Sequence, residues 1–266
     1  NRKGPVPAIV EHRHGSAPGP DTEQSGIGEW GMTNNIARSV AGAFGAAAMA
    51  LTFGACASEQ AGVRAPLSAT MSEATPCCGP VTPAGRRILS VLDASDVEHL
   101  WAKHRHVNWE TGAPDRPADY KGHEAATHCS AFAAAMGERL GVYLLRPPAH
   151  AQELLANAQT AWFGSMPGRS AGWYPVDTPE QAQALANQGK LVVVSYPSPD
   201  PHRAGHIGIV RPDARRTLEQ ITENGVMITQ AGDRNDLRIS ERQAFRWHRG
   251  AWPGGVKYFA HEVPAP

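Results

Sequence analysis

Three residues of this chain have types and spacing that suit nucleophilic chemistry. Cys129 lies in Ala-Thr-His-Cys-Ser-Ala-Phe, where an apolar helical spacing of Phe132, Met136 and Leu140 begins. A thiol in the first turn of a helix meets the positive end of the helix dipole, which favours thiolate, the nucleophilic form. That position predicts a thiol pKa below the free value of about 8.5. The other reading of Cys129 is a small buried core residue beside Phe132 and Ala133. His206 opens Gly-His-Ile-Gly-Ile-Val, a strand pattern in which His206, Gly208 and Val210 share one face and Ile207 and Ile209 the other. An imidazole at a strand start, flanked by small residues, suits a general base; a surface histidine at a hairpin end is the plainer reading. Gln230 ends the next strand pattern, Val-Met-Ile-Thr-Gln. An amide there fixes the tautomer and orientation of an imidazole, or else simply meets water.

The elements that must position these residues follow from periodicity and punctuation. Helical spacing covers 85–92, 95–104, 127–140 and 149–158, with Gly141 stopping the third. The helix over 178–188 carries Thr178 at its N-cap, Pro179 at its first position and Gly189 at its stop. Strands are predicted over 191–196, 206–211, 226–230 and 256–260. Residues 108–123 read as a polar loop, and residues 198–203, rich in Pro, Asp and His, as a rim beside His206. Helices first and antiparallel strands later define an α+β class.

Taken together, the three residues resemble the NlpC-type cell-wall peptidases and the related CHAP amidases, of the papain-like superfamily. The matching parts are Thr127-His128-Cys129-Ser130, then Gly205-His206, then Gln230. His128 replaces the Asp that often precedes the cysteine in that family. Gln230 stands where the family usually has His, Asn, Asp or Glu; Asp233 and Asn235 are the alternatives. The resemblance covers about 127–260. It implies a papain-like domain with N-terminal helices packed on an antiparallel sheet, and amide hydrolysis through a thioester. Cys129 would be the nucleophile, His206 the base and Gln230 the orienting group, with the Cys129 N–H as oxyanion donor. The implied substrate is the stem peptide of peptidoglycan. The rivals are another thiol acyl transfer or a protease on the same fold, and a non-catalytic scaffold or binding lipoprotein with Cys129 in its core.

Outside this stretch the chain changes character. Residues 1–31 show no hydrophobic period and read as upstream sequence foreign to the native product. Residues 32–55 have the order of a signal peptide: Arg38, then the uncharged run 40–53, then Gly54 and Ala55 before Cys56. That run is too short for a bilayer span, which takes roughly 20 residues. The end of this stretch resembles a bacterial lipoprotein lipobox, with Phe53 where Leu is usual. It implies cleavage before Cys56, a lipid anchor there and residence in the cell envelope. Residues 56–83 are rich in Ser, Ala, Thr, Gly and Pro and read as a tether, leaving 84–266 as the hydrolase domain.

Composition narrows the classes further. The 266 residues carry 25 basic and 25 acidic side chains, so no net positive field argues for nucleic acid. The cysteines Cys56, Cys77, Cys78 and Cys129 form no zinc framework, and the adjacent pair in Pro-Cys-Cys-Gly-Pro reads as incidental thiols in a linker. His99, His104, His106, His123 and His128 lack ligand spacing, so neither a metal nor a cofactor is expected. Trp109, Trp162, Trp173 and Trp247 are candidates for lining a groove, with core packing the ordinary expectation.

Overall fold

The structure, a computed structural model, describes residues 76–121 and 127–266. The upstream, signal-peptide and lipobox readings, with Cys56 and His123, lie outside the described residues. The elements run α1 (Pro83–Asp93), α2 (Cys129–Arg139), α3 (Leu155–Gly164), α4 (Met166–Ser170), β1 (Tyr174–Val176) and α5 (Pro179–Gln188). They continue β2 (Leu191–Tyr196), β3 (His206–Val210), α6 (Leu218–Asn224), β4 (Met227–Gln230), β5 (Asp236–Ser240), α7 (Glu241–Ala244) and β6 (Lys257–His261). The class is α+β. One six-stranded sheet has the order β1-β6-β2-β3-β4-β5, and every neighbouring pair is antiparallel.

Local chemistry explains where the helices begin. The Thr82 hydroxyl accepts from Gly85 N–H at 3.1 Å, and Pro83 follows as the first helical residue. Thr178 caps α5 in the same way, and Gly189 ends it in the left-handed region at φ 98°. α6 opens with a reciprocal capping box between Thr217 and Gln220. At Gly85 a side chain would meet the Asn187 carbonyl at 2.5 Å, so α1 and α5 approach as closely as they do because this residue has none.

The sheet has an apolar layer on each face. Ile207, Ile209, Val193 and Ala231 join α2, Phe163 and Trp173 in one core. Val192, Val194, Val210, Ile228, Phe245 and Tyr258 form the other. Strand alternation alone produces this division. α2 is buried from Cys129 to Gly137, and its alanines bring its axis close to the sheet, with Phe132 and Met136 filling the gaps. Arg211 crosses from the sheet to α1: its guanidinium donates to Asp93 Oδ1 at 2.5 Å, Thr229 Oγ1 at 3.0 Å and the Leu237 carbonyl at 3.3 Å.

Several expectations are corrected. Residues 95–104 form turns instead of a helix, with Asp96, Trp101 and His104 all at positive φ. The cause is tertiary: Trp101 N–H donates to Gly112 O, and Asn235 Nδ2 takes the Val97 and Leu100 carbonyls at 2.8 and 2.7 Å. The helix expected over 149–158 begins at Leu155. Cys77 and Cys78 are joined to each other in a disulfide, so they are not incidental thiols. The end of the expected tether is held to the domain: Cys77 N–H donates to Arg216 O at 2.6 Å, and Asn187 Nδ2 donates to Gly79 O at 2.8 Å. Among the described residues no helix is long and apolar enough to cross a membrane.

Candidate active site

Cys129 is the first residue of α2 and is 2% exposed. Its sulfur is faced by the backbone N–H groups of Ile207, Ser130 and Cys129 itself and by Thr127. These donors favour thiolate, as the helix start predicts. Burial acts against them and is the larger effect, pushing the thiol above its ordinary value. The expected depression of the thiol pKa is therefore corrected: burial outweighs the helix start and shifts the group the other way. His128, just before it, donates from Nε2 to the Arg105 carbonyl at 2.8 Å.

His206 begins β3 and is 5% exposed. Its Nε2 meets Gln230 Oε1 at 2.5 Å. Gln230 Nε2 donates to Asp236 Oδ2 at 3.1 Å and to the Arg234 carbonyl at 3.3 Å. A carboxylate and a carbonyl only accept, so the amide nitrogen must face them and its oxygen must face the ring. His206 therefore carries its proton on Nε2 and leaves Nδ1 as the basic nitrogen. Burial lowers the ring's pKa, with Gln230 and the Asp233 charge opposing. Gly232 keeps the ring clear, since a side chain there would come within 3.1 Å of Cε1.

Of the alternatives to Gln230, Asn235 organises the loop: its Oδ1 accepts from Gly232 N–H at 2.9 Å and its Nδ2 binds carbonyls of the 95–104 turns. Asp233 is exposed and reaches His206 only through charge. The structure thus brings His206 and Gln230 together and leaves Cys129 separate. The sulfur lies against the first core and touches the N–H of the peptide that joins His206 to Ile207. The His206 ring lies against Phe245 of the second core, at 5.0 Å between ring centroids. Among the described residues no hydrogen bond joins the Cys129 thiol to the His206 ring.

A cavity of about 320 Å³ opens beside the ring, with Thr127, His206, Gln230, Asp233, Trp247 and His248 on its wall. Thr127 ties this space to the thiol. His248 was not legible from sequence: it sits in the turns after α7, outside any periodic element. Its ring stacks on that of His206 at 5.3 Å and 12°. Burial pushes His248 down to about 4, and the His206 charge adds to the effect. Trp247 is 72% exposed at this mouth, whereas Trp173 is core. Elsewhere His99 pairs with Asp96 and His106 with Asp115, and no group of three potential ligands among the described residues is placed to hold a metal ion. No protein-family model matches the chain, and no curated protein sequence matches it.

Proposed function

We propose that this chain is an exported cysteine hydrolase of the papain-like superfamily, similar to NlpC-type peptidases and CHAP amidases. Its substrate is the stem peptide of peptidoglycan, cut at an amide bond. The observation that carries the reading is the His206–Gln230 pair. It leaves Nδ1 basic, on the residue whose following N–H, that of Ile207, faces the sulfur of a cysteine at a helix start. In this reaction the thiol leaves the Ile207 N–H and reaches that nitrogen. Nδ1 then accepts the thiol proton and the sulfur attacks the amide carbon. The carbonyl oxygen, negative in the tetrahedral intermediate, is met by the Cys129 N–H. The proton passes to the departing amine, and water hydrolyses the thioester with His206 again as base. The Arg38, apolar run and Cys56 order supports export and a lipid anchor on Cys56.

A second reading has its own observation. The depth of Cys129 suits a core residue in a non-catalytic binding lipoprotein. Digestion of purified cell wall, with mass spectrometry of released fragments, separates the two. New amine and carboxyl ends released by wild type, and not by Cys129→Ala, support the hydrolase. Their absence supports the binding protein.

A further inference from the structure

The wall that carries His248 and Trp247 belongs to two cavities. Besides the space at His206, a second cavity of about 300 Å³ is lined by Tyr196, Ser198 and Arg249, and it shares Arg203, Asp233, Trp247 and His248 with the first. Arg246 stands on the His206 side, Arg203 at the junction and Arg249 on the far side.

These guanidiniums differ from their neighbour Arg234, which is committed to Asp236 at 2.8 Å. Among the described residues Arg203, Arg246 and Arg249 enter no ion pair. Arg246 lies over the Trp247 ring, 4.9 Å from its centroid, which holds the fork beside the cavity without using up its donors. At His248 the Asp233 charge raises the proton affinity and the smaller Arg203 effect lowers it, so the wall carries both signs, with these three guanidiniums on the two cavities against Asp233 and Asp200. A planar fork of N–H donors matches a carboxylate in two parallel hydrogen bonds. Asp233 on the same wall counts against a doubly charged phosphate.

We infer that the double cavity binds a peptide through a carboxylate, held by Arg203 and Arg246 beside the stacked histidines. The carboxylate lies at a chain end or on an acidic side chain, and the reacting amide then falls next to His206. The peptide class rests on the hydrolase reading, but binding is separable from turnover.

The test uses the full chain with Cys129→Ala, so that no hydrolysis occurs. Dissociation constants are measured by calorimetry for acetyl-Ala-Ala, for its carboxamide and for acetyl-Ala-Glu carboxamide. The expected result is that at least one acid binds about tenfold or more tighter than the neutral carboxamide, as for a charge-assisted contact. Arg203→Gln or Arg246→Gln, both at exposed positions, removes that advantage while the melting temperature stays put. Equal affinity for acid and carboxamide overturns the inference. So does an advantage that survives both substitutions, an absence of binding by every peptide, or inorganic phosphate displacing the acid at equal concentration. If the acids bind as expected and wall digestion yields no fragments, the hydrolase reading alone falls.

Discussion

The ring of His248 lies parallel to that of His206, 5.3 Å away, and shields it from water. Each ring is kept neutral by the same burial, and a proton on one opposes a proton on the other. The base at this site is therefore unprotonated below the usual histidine range. The acid limb of kcat/KM is expected below pH 6.5, where an ordinary imidazole already charges. His248→Ala admits water, so the His206 pKa rises and the limb moves to higher pH. A pH profile on a soluble peptide substrate reads both; a limb unmoved by the substitution excludes the shielding role.

His206→Ala is expected to lower turnover about 1,000-fold, within the roughly 10²–10⁴ of general-base catalysis. Gln230→Ala leaves Nε2 without its acceptor and lets the ring change tautomer. It is expected to slow turnover about a hundredfold, less than Cys129→Ala, which ends it. Single-turnover rates give the ranking. Equal rates for wild type and Gln230→Ala would remove Gln230 from the mechanism.

Because burial outweighs the N–H donors around Cys129, iodoacetamide should label the resting protein slowly, with an inflection above about 8.5. A peptide aldehyde or vinyl sulfone that occupies the cavity beside His206 should label Cys129 and no other described residue, as peptide mapping would show. A probe that labels the denatured protein but never the folded one places Cys129 in the core.

Glu241 and His248 pull stability in opposite directions with pH. Glu241 is fully buried, with Val226 N–H at 3.2 Å and the Tyr258 hydroxyl at 2.7 Å, and burial raises its carboxyl to about 7. From its ordinary 4.5 up to about 7 the folded state holds the extra proton, so this group's contribution is lost as pH rises. His248, lowered from 6.5 to about 4, takes its proton more readily when unfolded, so its contribution is lost as pH falls. Denaturant melts at pH 5, 6 and 7 should show a shallow dependence in wild type. Glu241→Gln should show stability rising with pH across that window. Matching profiles in wild type and variant would mean that Glu241 is ionised throughout, and a flat profile in the variant would mean that His248 contributes nothing.

Gly232→Ala places a methyl group 3.1 Å from His206 Cε1 at a position where the backbone itself needs no glycine. The ring must give by a few tenths of an ångström. A fall in kcat of up to about tenfold is expected, in keeping with the roughly hundredfold cost of a 1 Å misplacement. Thermal stability should change little by comparison with Phe132→Ala, a core truncation costing about 3–5 kcal/mol.

What could be read without coordinates was what short-range chemistry writes. α5 announced itself through Thr178, Pro179 and Gly189. β2 and β3 followed from their apolar runs, and His206 and Gln230 met because one begins β3, the other ends β4, and the two strands pair antiparallel. The 95–104 segment had helical spacing as well, but Asn235 and Gly112, far along the chain or across a turn, claim its carbonyls and N–H groups. β1 is only three residues and contains Pro175, and β5 interleaves Arg238 with Leu237 and Ile239 directly after a loop. Neither carries a strand signal of its own. The stacking of His248 depends on the path of the chain after α7, and Cys129's depth on how closely an alanine-rich helix settles on the sheet.

The Cys77–Cys78 bond joins residues adjacent in sequence, so it encloses no stretch of chain. Disulfides stabilise mainly by shortening the loops open to an unfolded polypeptide, and here that loop has almost no length. A reductant that keeps Cys129 as a thiol can therefore be present throughout an assay at little cost to the fold. The segment opened by that reductant still keeps its backbone contact with Arg216.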